Sequence, residues 1–245
     1  MKDDAAVLAK TKDHSKGSSE AAPTPMGAPE TKRPHILLAA SPKGGVGKST
    51  LSRNIAVAAT ASGLKVALAD FDAQQSTVRW WERRPENMSE IAIFAAEMTP
   101  TDVDDVLCQA REQEFDLLIV DTPTALEAYP EAFKALILAS DMVLVPTGVS
   151  IDDTESVRDV MAQVVGLRKP GAYVLSKVDS RSRRSLNTAR MRLNASGKLC
   201  PIEIPLYDDF VSAAELGVSV IEIKKAKGAD EVVAVWTFAR NEIGL

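Results

Sequence analysis

From residue 35 onward, short apolar runs alternate with longer segments in which apolar residues recur every three or four positions. The short runs are continuous stretches of Val, Ile, Leu and Ala, as expected for strands buried on both faces of a parallel sheet. They predict strands at 36–41, 65–71, 91–95, 116–121, 141–146, 171–176 and 201–204. The longer segments have the periodicity of amphipathic helices. They predict helices at 49–62, 75–84, 101–113, 125–139, 151–167, 182–195, 209–216 and 229–243.

This alternation of strand and helix indicates an α/β fold, with a doubly wound, mostly parallel sheet and helices on both faces. In such a sheet, ligands bind at the carboxyl ends of the strands. We expect one domain over 34–245. Residues 1–33 mix Lys, Asp, Ser, Ala, Gly and Pro without an apolar period, so we expect a disordered tail there.

Composition narrows the class of protein. An apolar content of 45% and a charged content of 26% are typical of a soluble globular chain. The sequence has no run of about 18 apolar residues, so it predicts no membrane-spanning helix. Cys108 and Cys200 lie far apart without a CxxC partner, which argues against a zinc site and against the cysteine set of an iron–sulfur carrier. We expect a cytoplasmic protein.

The residues 41–50, SPKGGVGKST, lie between the first predicted strand and the first predicted helix. This is the context of a phosphate-binding loop, in which glycines let backbone N–H groups converge on a phosphate at a helix N-terminus. The glycines are Gly44, Gly45 and Gly47. We expect Lys48 to reach the β and γ phosphates and the Ser49 hydroxyl to bind Mg²⁺. Pro42 stands where the strict pattern has glycine, so the loop is a variant form.

Acidic residues follow two of the predicted strands. Asp70 and Asp72 end the second strand, and their spacing predicts that both carboxylates point toward the phosphates. Carboxylates beside an anion make sense next to Mg²⁺ or an attacking water. Asp121 ends the fourth strand and has the position of a second Mg²⁺ carboxylate. The alternative for an aspartate at a strand end is a helix cap or a turn residue.

Three segments in this order, KGGVGKST, DFDAQQS and LLIVDTP, resemble the deviant-Walker-A ATPases of the ParA/MinD group over about residues 35–222. The resemblance implies a P-loop fold that binds ATP and Mg²⁺. It implies that Lys43 is the signature lysine, which crosses to the partner's phosphates in an ATP-bound dimer. Ala73 replaces the usual proline of the second segment.

The resemblance also implies roles for the remaining site residues. Lys43, Lys48 and Asp72 would be catalytic, with Asp72 positioning the attacking water. The Mg²⁺ set would be Ser49, Asp72 and Asp121. The loop residues that contact the nucleotide would be Lys43, Gly44, Gly45, Val46, Gly47, Lys48, Ser49 and Thr50.

The segment Ser176-Lys177-Val178-Asp179 resembles the guanine-recognition element of related GTPases. In the ParA group this region also borders the adenine, so Lys177 and Asp179 are candidate base contacts. We favour ATP, and GTP stays an alternative. A strand-end turn with a capping aspartate explains the segment equally well.

The charge of the chain is unevenly distributed. The net charge is −5, but residues 168–198 carry +8, which leaves −13 elsewhere. Five arginines without an acid lie on one predicted helix: Arg181, Arg183, Arg184, Arg190 and Arg192. They predict nonspecific contact with DNA phosphates. A solvated helix face is the alternative.

Together these features resemble a ParA-like partition ATPase that forms a homodimer with ATP and binds nucleoid DNA. A ParB-type partner would stimulate slow hydrolysis and release it, so that a plasmid, chromosome region or protein cargo is positioned. The alternative is a MinD-like membrane-cycling ATPase, which calls for a basic amphipathic C-terminal helix. Residues 231–245 are typical of a core helix, so a membrane partner is the less favoured hypothesis.

Overall fold

The computed structural model describes residues 8–10, as backbone only, 33–179 and 181–245. The described residues form an eight-stranded sheet with the order β1-β4-β3-β5-β2-β6-β7-β8. The strands are β1 Leu8–Lys10, β2 His35–Ala39, β3 Val66–Asp70, β4 Ala92–Ala95, β5 Leu117–Asp121, β6 Met142–Thr147, β7 Gly171–Val178 and β8 Ile204–Pro205. Strands β2 to β8 are parallel, and β1 pairs antiparallel with β4.

Helices connect the strands. They are α1 Lys48–Ala61, α2 Ser76–Glu82, α3 Pro100–Glu112, α4 Pro130–Ala139, α5 Ile151–Ser156, α6 Arg158–Gly166, α7 Arg183–Asn194, α8 Asp208–Glu215 and α9 Ala229–Ile243. Two short 3₁₀ turns lie at Leu126–Ala128 and Val220–Glu222. None of the described helices is long and apolar enough to cross a bilayer.

Both faces of the sheet are covered by helices, as the sequence predicts for a doubly wound fold. One buried cluster contains Leu38 of β2 and packs it against apolar residues of α3, α4, α6 and α7. The other contains Leu37 and packs it against α1, α2, α8 and α9. Because successive side chains of a strand point to opposite faces, the continuous apolar runs supply both clusters.

The predicted strand at 201–204 is wrong in its position. The Cys200 amide donates to the Tyr173 carbonyl of β7 at 2.8 Å, but Pro201 has no N–H to continue the pairing. The ladder resumes only at Ile204–Pro205. The predicted helix at 151–167 is also divided, at Val157, into α5 and α6.

The prediction of a disordered tail over 1–33 does not hold for Leu8–Lys10. This segment pairs with β4 in the register Leu8 to Ala95 and Lys10 to Ile93. Without β1, β4 would be an edge strand with unpaired backbone groups, which attract a further strand. Except for Arg33, the rest of that segment lies outside the described residues.

Candidate functional site

The phosphate loop joins the end of β2 to the start of α1, at the carboxyl edge of the sheet. Gly45 and Gly47 have φ values of 75° and 95°, in the left-handed region that favours glycine. A Cβ atom on Gly47 would lie 2.7 Å from the Ser176 hydroxyl of β7. Glycine is therefore required at position 47 for both conformation and space.

Lys48 lies inside this loop. Its side chain is buried, and its Nζ donates to the Lys43 carbonyl at 3.1 Å. Burial lowers the pKa of Lys48, whereas the carboxylates of Asp121 and Asp72 raise it. The predicted phosphate lysine and two of the predicted Mg²⁺ residues are thus close together.

Lys43 has a different partner, which the sequence did not indicate. Its Nζ donates to Asp153 Oδ1 of α5 at 2.7 Å. Asp153 is held in place because its own amide donates to the Ser150 hydroxyl at 3.1 Å. Burial raises the pKa of Asp153, but the bonds from Lys43 and Ser150 outweigh burial and lower it overall. The predicted signature lysine is therefore engaged within its own chain.

Asp121 ends β5 and is completely buried. Its Oδ2 accepts a hydrogen bond from the Thr77 hydroxyl at 2.7 Å, while Oδ1 has no partner among the described residues. Burial and the neighbouring Asp70 raise the pKa of Asp121 to about 6, although Ser49, Thr77 and Lys48 act in the opposite direction. A buried acceptor without a partner beside the Ser49 hydroxyl fits the oxygen ligands that Mg²⁺ prefers.

Asp70 does not point toward the phosphates, and that prediction is wrong. Its Oδ1 accepts from the Asp72 amide at 3.0 Å, and its Oδ2 accepts from the amides of Thr77 at 2.8 Å and Val78 at 3.2 Å. The first amides of a helix have no partner within the helix, so a carboxylate at that end stabilises it. Asp70 fixes the start of α2.

Asp72 lies in the loop between β3 and α2 and is half-buried. Its Oδ1 accepts from the Gln74 amide at 2.9 Å, and Gln75 then turns the chain into α2 with a φ of 48°. In the described part of the chain, no three His, Cys, Asp or Glu side chains converge as a metal cluster. The predicted Mg²⁺ residues Ser49, Asp72 and Asp121 are too few acidic groups to form such a cluster, so an ion bound there would need further oxygen ligands.

A cavity of about 480 Å³ opens beside the loop. Its wall includes Gly47, Thr50, Arg83, Ser176, Lys177, Ile204, Pro205, Leu206, Tyr207, Phe210, Val211, Ala214 and Glu215. Of the two predicted base contacts, Lys177 lines this cavity and Asp179 does not. The Asp179 carboxylate instead accepts from Arg181, at 2.7 to 3.1 Å, and these bonds lower the pKa of Asp179 to about 2.

The five predicted DNA-binding arginines fall into two groups. Arg181 pairs with Asp179, and Arg190 donates to Glu203 Oε1 at 2.7 Å. The other three are exposed on α7 and have no carboxylate partner within the described residues. They are Arg183, Arg184 and Arg192.

Comparison with known proteins agrees with this geometry. Residues 37–220 match the model of the CobQ/CobB/MinD/ParA nucleotide binding domain. The chain is 29% identical, over 224 residues, to the Maintenance of carboxysome distribution protein A of Gloeobacter kilaueensis, covering 88% of this chain and 96% of that protein. It is 26% identical to Protein IncC of Escherichia coli, covering 84% of this chain and 70% of that protein.

A solved structure shows the same fold. The MinC:MinD cell division protein complex of Aquifex aeolicus superposes with a TM-score of 0.70, covering 84% of this chain and 96% of that chain at 15% identity. The matched family segment contains the phosphate loop, Asp72 and Asp121. The chain therefore belongs to the CobQ/CobB/MinD/ParA family of nucleotide-binding proteins.

Proposed function

We propose that this chain is an ATPase that dimerises when it binds ATP and Mg²⁺, binds DNA nonspecifically as a dimer, and leaves DNA after partner-stimulated hydrolysis. The observation that carries the proposal is the position of Lys43. Its ammonium group lies at the edge of the phosphate loop, bound to Asp153 rather than to the site that Lys48 occupies. A second lysine in this position lies outside the phosphate site of its own chain, and it reaches another nucleotide site only by leaving Asp153.

The residues of the site have different roles in hydrolysis. Lys48 and the loop amides bind and orient the phosphates. Asp72 accepts a hydrogen bond from a water and so orients this water in line with the γ-phosphate. Bound magnesium supplies neutralisation of the phosphate charge, and the oxygens of Ser49 and Asp121 would hold it.

Lys43 links nucleotide binding to dimerisation. To contact phosphates across an interface, Lys43 has to leave Asp153, which costs the energy of a partly exposed ion pair. The contact between Lys43 and the phosphates bound to the partner offsets this cost, so ATP shifts the equilibrium toward the dimer. Hydrolysis removes the γ-phosphate contact and favours the monomer.

The cavity beside the loop supports ATP as the nucleotide. Leu206, Tyr207 and Phe210 give it an apolar and aromatic wall, on which a purine ring packs well. Asp179 is bound to Arg181 and outside this wall, so it is not poised to accept the N–H groups of guanine. If GTP displaces bound ATP only weakly in a competition experiment, this assignment is supported.

Nonspecific DNA binding rests on α7. Arg183, Arg184 and Arg192 are exposed cations in a chain that is acidic overall. Unpaired arginines gain from a polyanion because each phosphate contact releases counterions. The phosphate backbone is the natural target, since exposed cations contact phosphates whatever the base sequence.

Membrane cycling is a weaker proposal for this chain. Helix α9 is buried along Val232, Val235, Trp236 and Ala239, and it packs against α1. The apolar face of α9 is therefore packed in the core and is not presented to a membrane interface. The relative named for carboxysome distribution supports cargo positioning, and we propose a plasmid, a chromosome region or a protein assembly as the cargo.

Retention of the full chain on a nonspecific duplex tests the proposal, with ATP, ADP or no nucleotide at moderate salt. We expect retention with ATP only. Equal retention in all three states would separate DNA binding from the nucleotide. No retention in any state, with ATP-dependent sedimentation on anionic vesicles, would establish the membrane alternative instead.

A further inference from the structure

Arg53 is a half-buried cation beneath the phosphate loop that none of the roles above includes. It lies on α1 one turn after Ser49, and its Nε donates to the Ser49 carbonyl at 2.9 Å. Its neighbours Ser52 and Asn54 are buried, so this stretch of α1 is part of the interior. A long charged side chain is unusual on a helix segment whose neighbouring residues are buried.

The guanidinium of Arg53 extends from α1 to α2. Its Nη1 lies 3.5 Å from the Ser76 carbonyl, at the long limit for a hydrogen bond. Its central carbon lies 5.9 Å from the centroid of the Trp80 ring, which is within the range of a cation–π contact. Ser76 and Trp80 are one turn apart, so Arg53 spans the first turn of α2.

Helix α2 follows directly from the loop that carries Asp72, so its first turn determines where that loop ends. Trp80 also anchors α2 to other parts of the chain. The Trp80 Nε1 donates to the Val218 carbonyl at 3.1 Å, and the Arg84 guanidinium lies 5.3 Å from the same ring. Arg53 connects this anchored helix to the helix of the phosphate loop.

Charged groups lie around Arg53. Burial, the largest effect, and the neighbouring Arg83 lower the pKa of Arg53, whereas the carboxylates of Asp121 and Asp70 raise it. Arginine stays protonated when buried, and its planar fork can serve a carbonyl and an aromatic face together. A lysine would keep the charge but would lack the planar guanidinium that contacts the carbonyl and the ring together.

We propose that Arg53 is a positioning residue that holds the Ser49 carbonyl and the first turn of α2 at a fixed separation, and so keeps Asp72 directed toward the phosphate site. This inference rests on the proposed ATPase function. Arg53 does not touch the phosphates, so its loss is expected to slow hydrolysis more than it weakens nucleotide binding.

The test compares Arg53→Met, which keeps the stem, with Arg53→Lys, which keeps the charge, in the full chain. Arg79→Met is the matched control, because Arg79 is an exposed arginine of α2. Three quantities are measured: kcat and KM for ATP, affinity for a fluorescent ATP analogue with Mg²⁺, and amide hydrogen exchange of residues 72–80 with the analogue bound.

For Arg53→Met we expect kcat to fall roughly tenfold, the loss of one charged hydrogen bond, and analogue affinity to change less than about twofold. Exchange in 72–80 should accelerate by a similar factor, and Arg53→Lys should recover part of the protection. Wild-type kcat and exchange in Arg53→Met would overturn the inference. Parallel losses of affinity, kcat and melting temperature would also overturn it, by showing a purely structural role. If the wild-type chain does not hydrolyse ATP, the proposed function fails, and the exchange comparison still decides the role of Arg53.

Discussion

The Lys43 ammonium lies 2.7 Å from Asp153 Oδ1, which joins the phosphate loop to α5 across the carboxyl edge of the sheet. The pair is built with little room around it. A Cβ atom on Gly148 would lie 2.3 Å from Asp153 Oδ2, and Ser150 holds the Asp153 amide. In the single chain the predicted signature lysine is therefore paired with Asp153, and it has to leave this carboxylate before it contacts any other anion.

Asp153→Asn is expected to favour the ATP-dependent dimer, because it removes the charge that Lys43 must leave. The pair is partly exposed and worth up to about 1 kcal/mol, so the dimer Kd should fall by up to roughly fivefold. Sedimentation with a non-hydrolysable ATP analogue measures this. Lys43→Ala should still bind nucleotide but lose most of the dimer. Asp152→Asn, an exposed neighbour on α5, is the control. An unchanged Kd in Asp153→Asn would show that the ion pair does not oppose dimerisation.

Replacing Arg183, Arg184 and Arg192 together by alanine should weaken ATP-dependent DNA binding and leave ATP turnover without DNA unchanged. Each lost phosphate contact removes about 0.9 from the slope of log K against log salt, so the slope should fall by up to about 3. Arg190→Ala is the control, because Arg190 is already paired with Glu203. Titration at several salt concentrations gives the slope. A greater loss from Arg190→Ala than from the triple variant would place the DNA contact elsewhere.

Asp121→Asn should stabilise the nucleotide-free fold while it removes Mg²⁺-dependent nucleotide binding. The folded pKa of Asp121 is raised to about 6, so the folded state holds a proton that the unfolded chain releases near pH 4. In the wild-type protein, protonated Asp121 therefore adds to the free energy of unfolding at low pH, and this contribution is lost as the pH rises through 6.

Urea unfolding in EDTA should therefore show Asp121→Asn more stable than wild type by about 1–3 kcal/mol at pH 7.5, and by less at pH 5. The same experiment at both pH values separates this electrostatic effect from a change in packing. If Asp121→Asn were the less stable protein at pH 7.5, the bond from Thr77 to the ionised carboxylate would outweigh the cost of burying its charge.

Glu222→Ala should destabilise the fold by about 3–5 kcal/mol, because it leaves the buried Arg84 without its carboxylate. Arg84 Nη1 donates to Glu222 Oε2 at 3.0 Å, and the two side chains are 5% and 12% exposed. Glu242→Ala is the matched control, since its pair with Lys198 is 29% and 49% exposed, and its loss should cost at most about 1 kcal/mol. Similar losses in the two variants would contradict the importance of burial.

Much of the fold was predictable because it depends on local patterns. The continuous apolar runs predicted strands that are buried on both faces, and the predicted helix at 229–243 coincides with α9. The phosphate loop was predictable for the same reason, since Gly45 and Gly47 must take left-handed conformations within a few residues of Lys48. The position of β8 had a local signal that the prediction did not use, because Pro201 cannot donate to the ladder. The division of the helix at Val157 had no such signal.

What the sequence by itself determined is the phosphate loop with its two lysines, which are close along the chain, and the place of Asp121 at a strand end. Only the tertiary structure decided which of the remaining charges are engaged. It turned Asp70 into the cap of α2 and brought Asp153 to Lys43 across 110 residues. The physical reason is that a charged side chain takes its partner from whatever the packed elements place within about 3 Å, and periodicity along the chain carries no information about that distance.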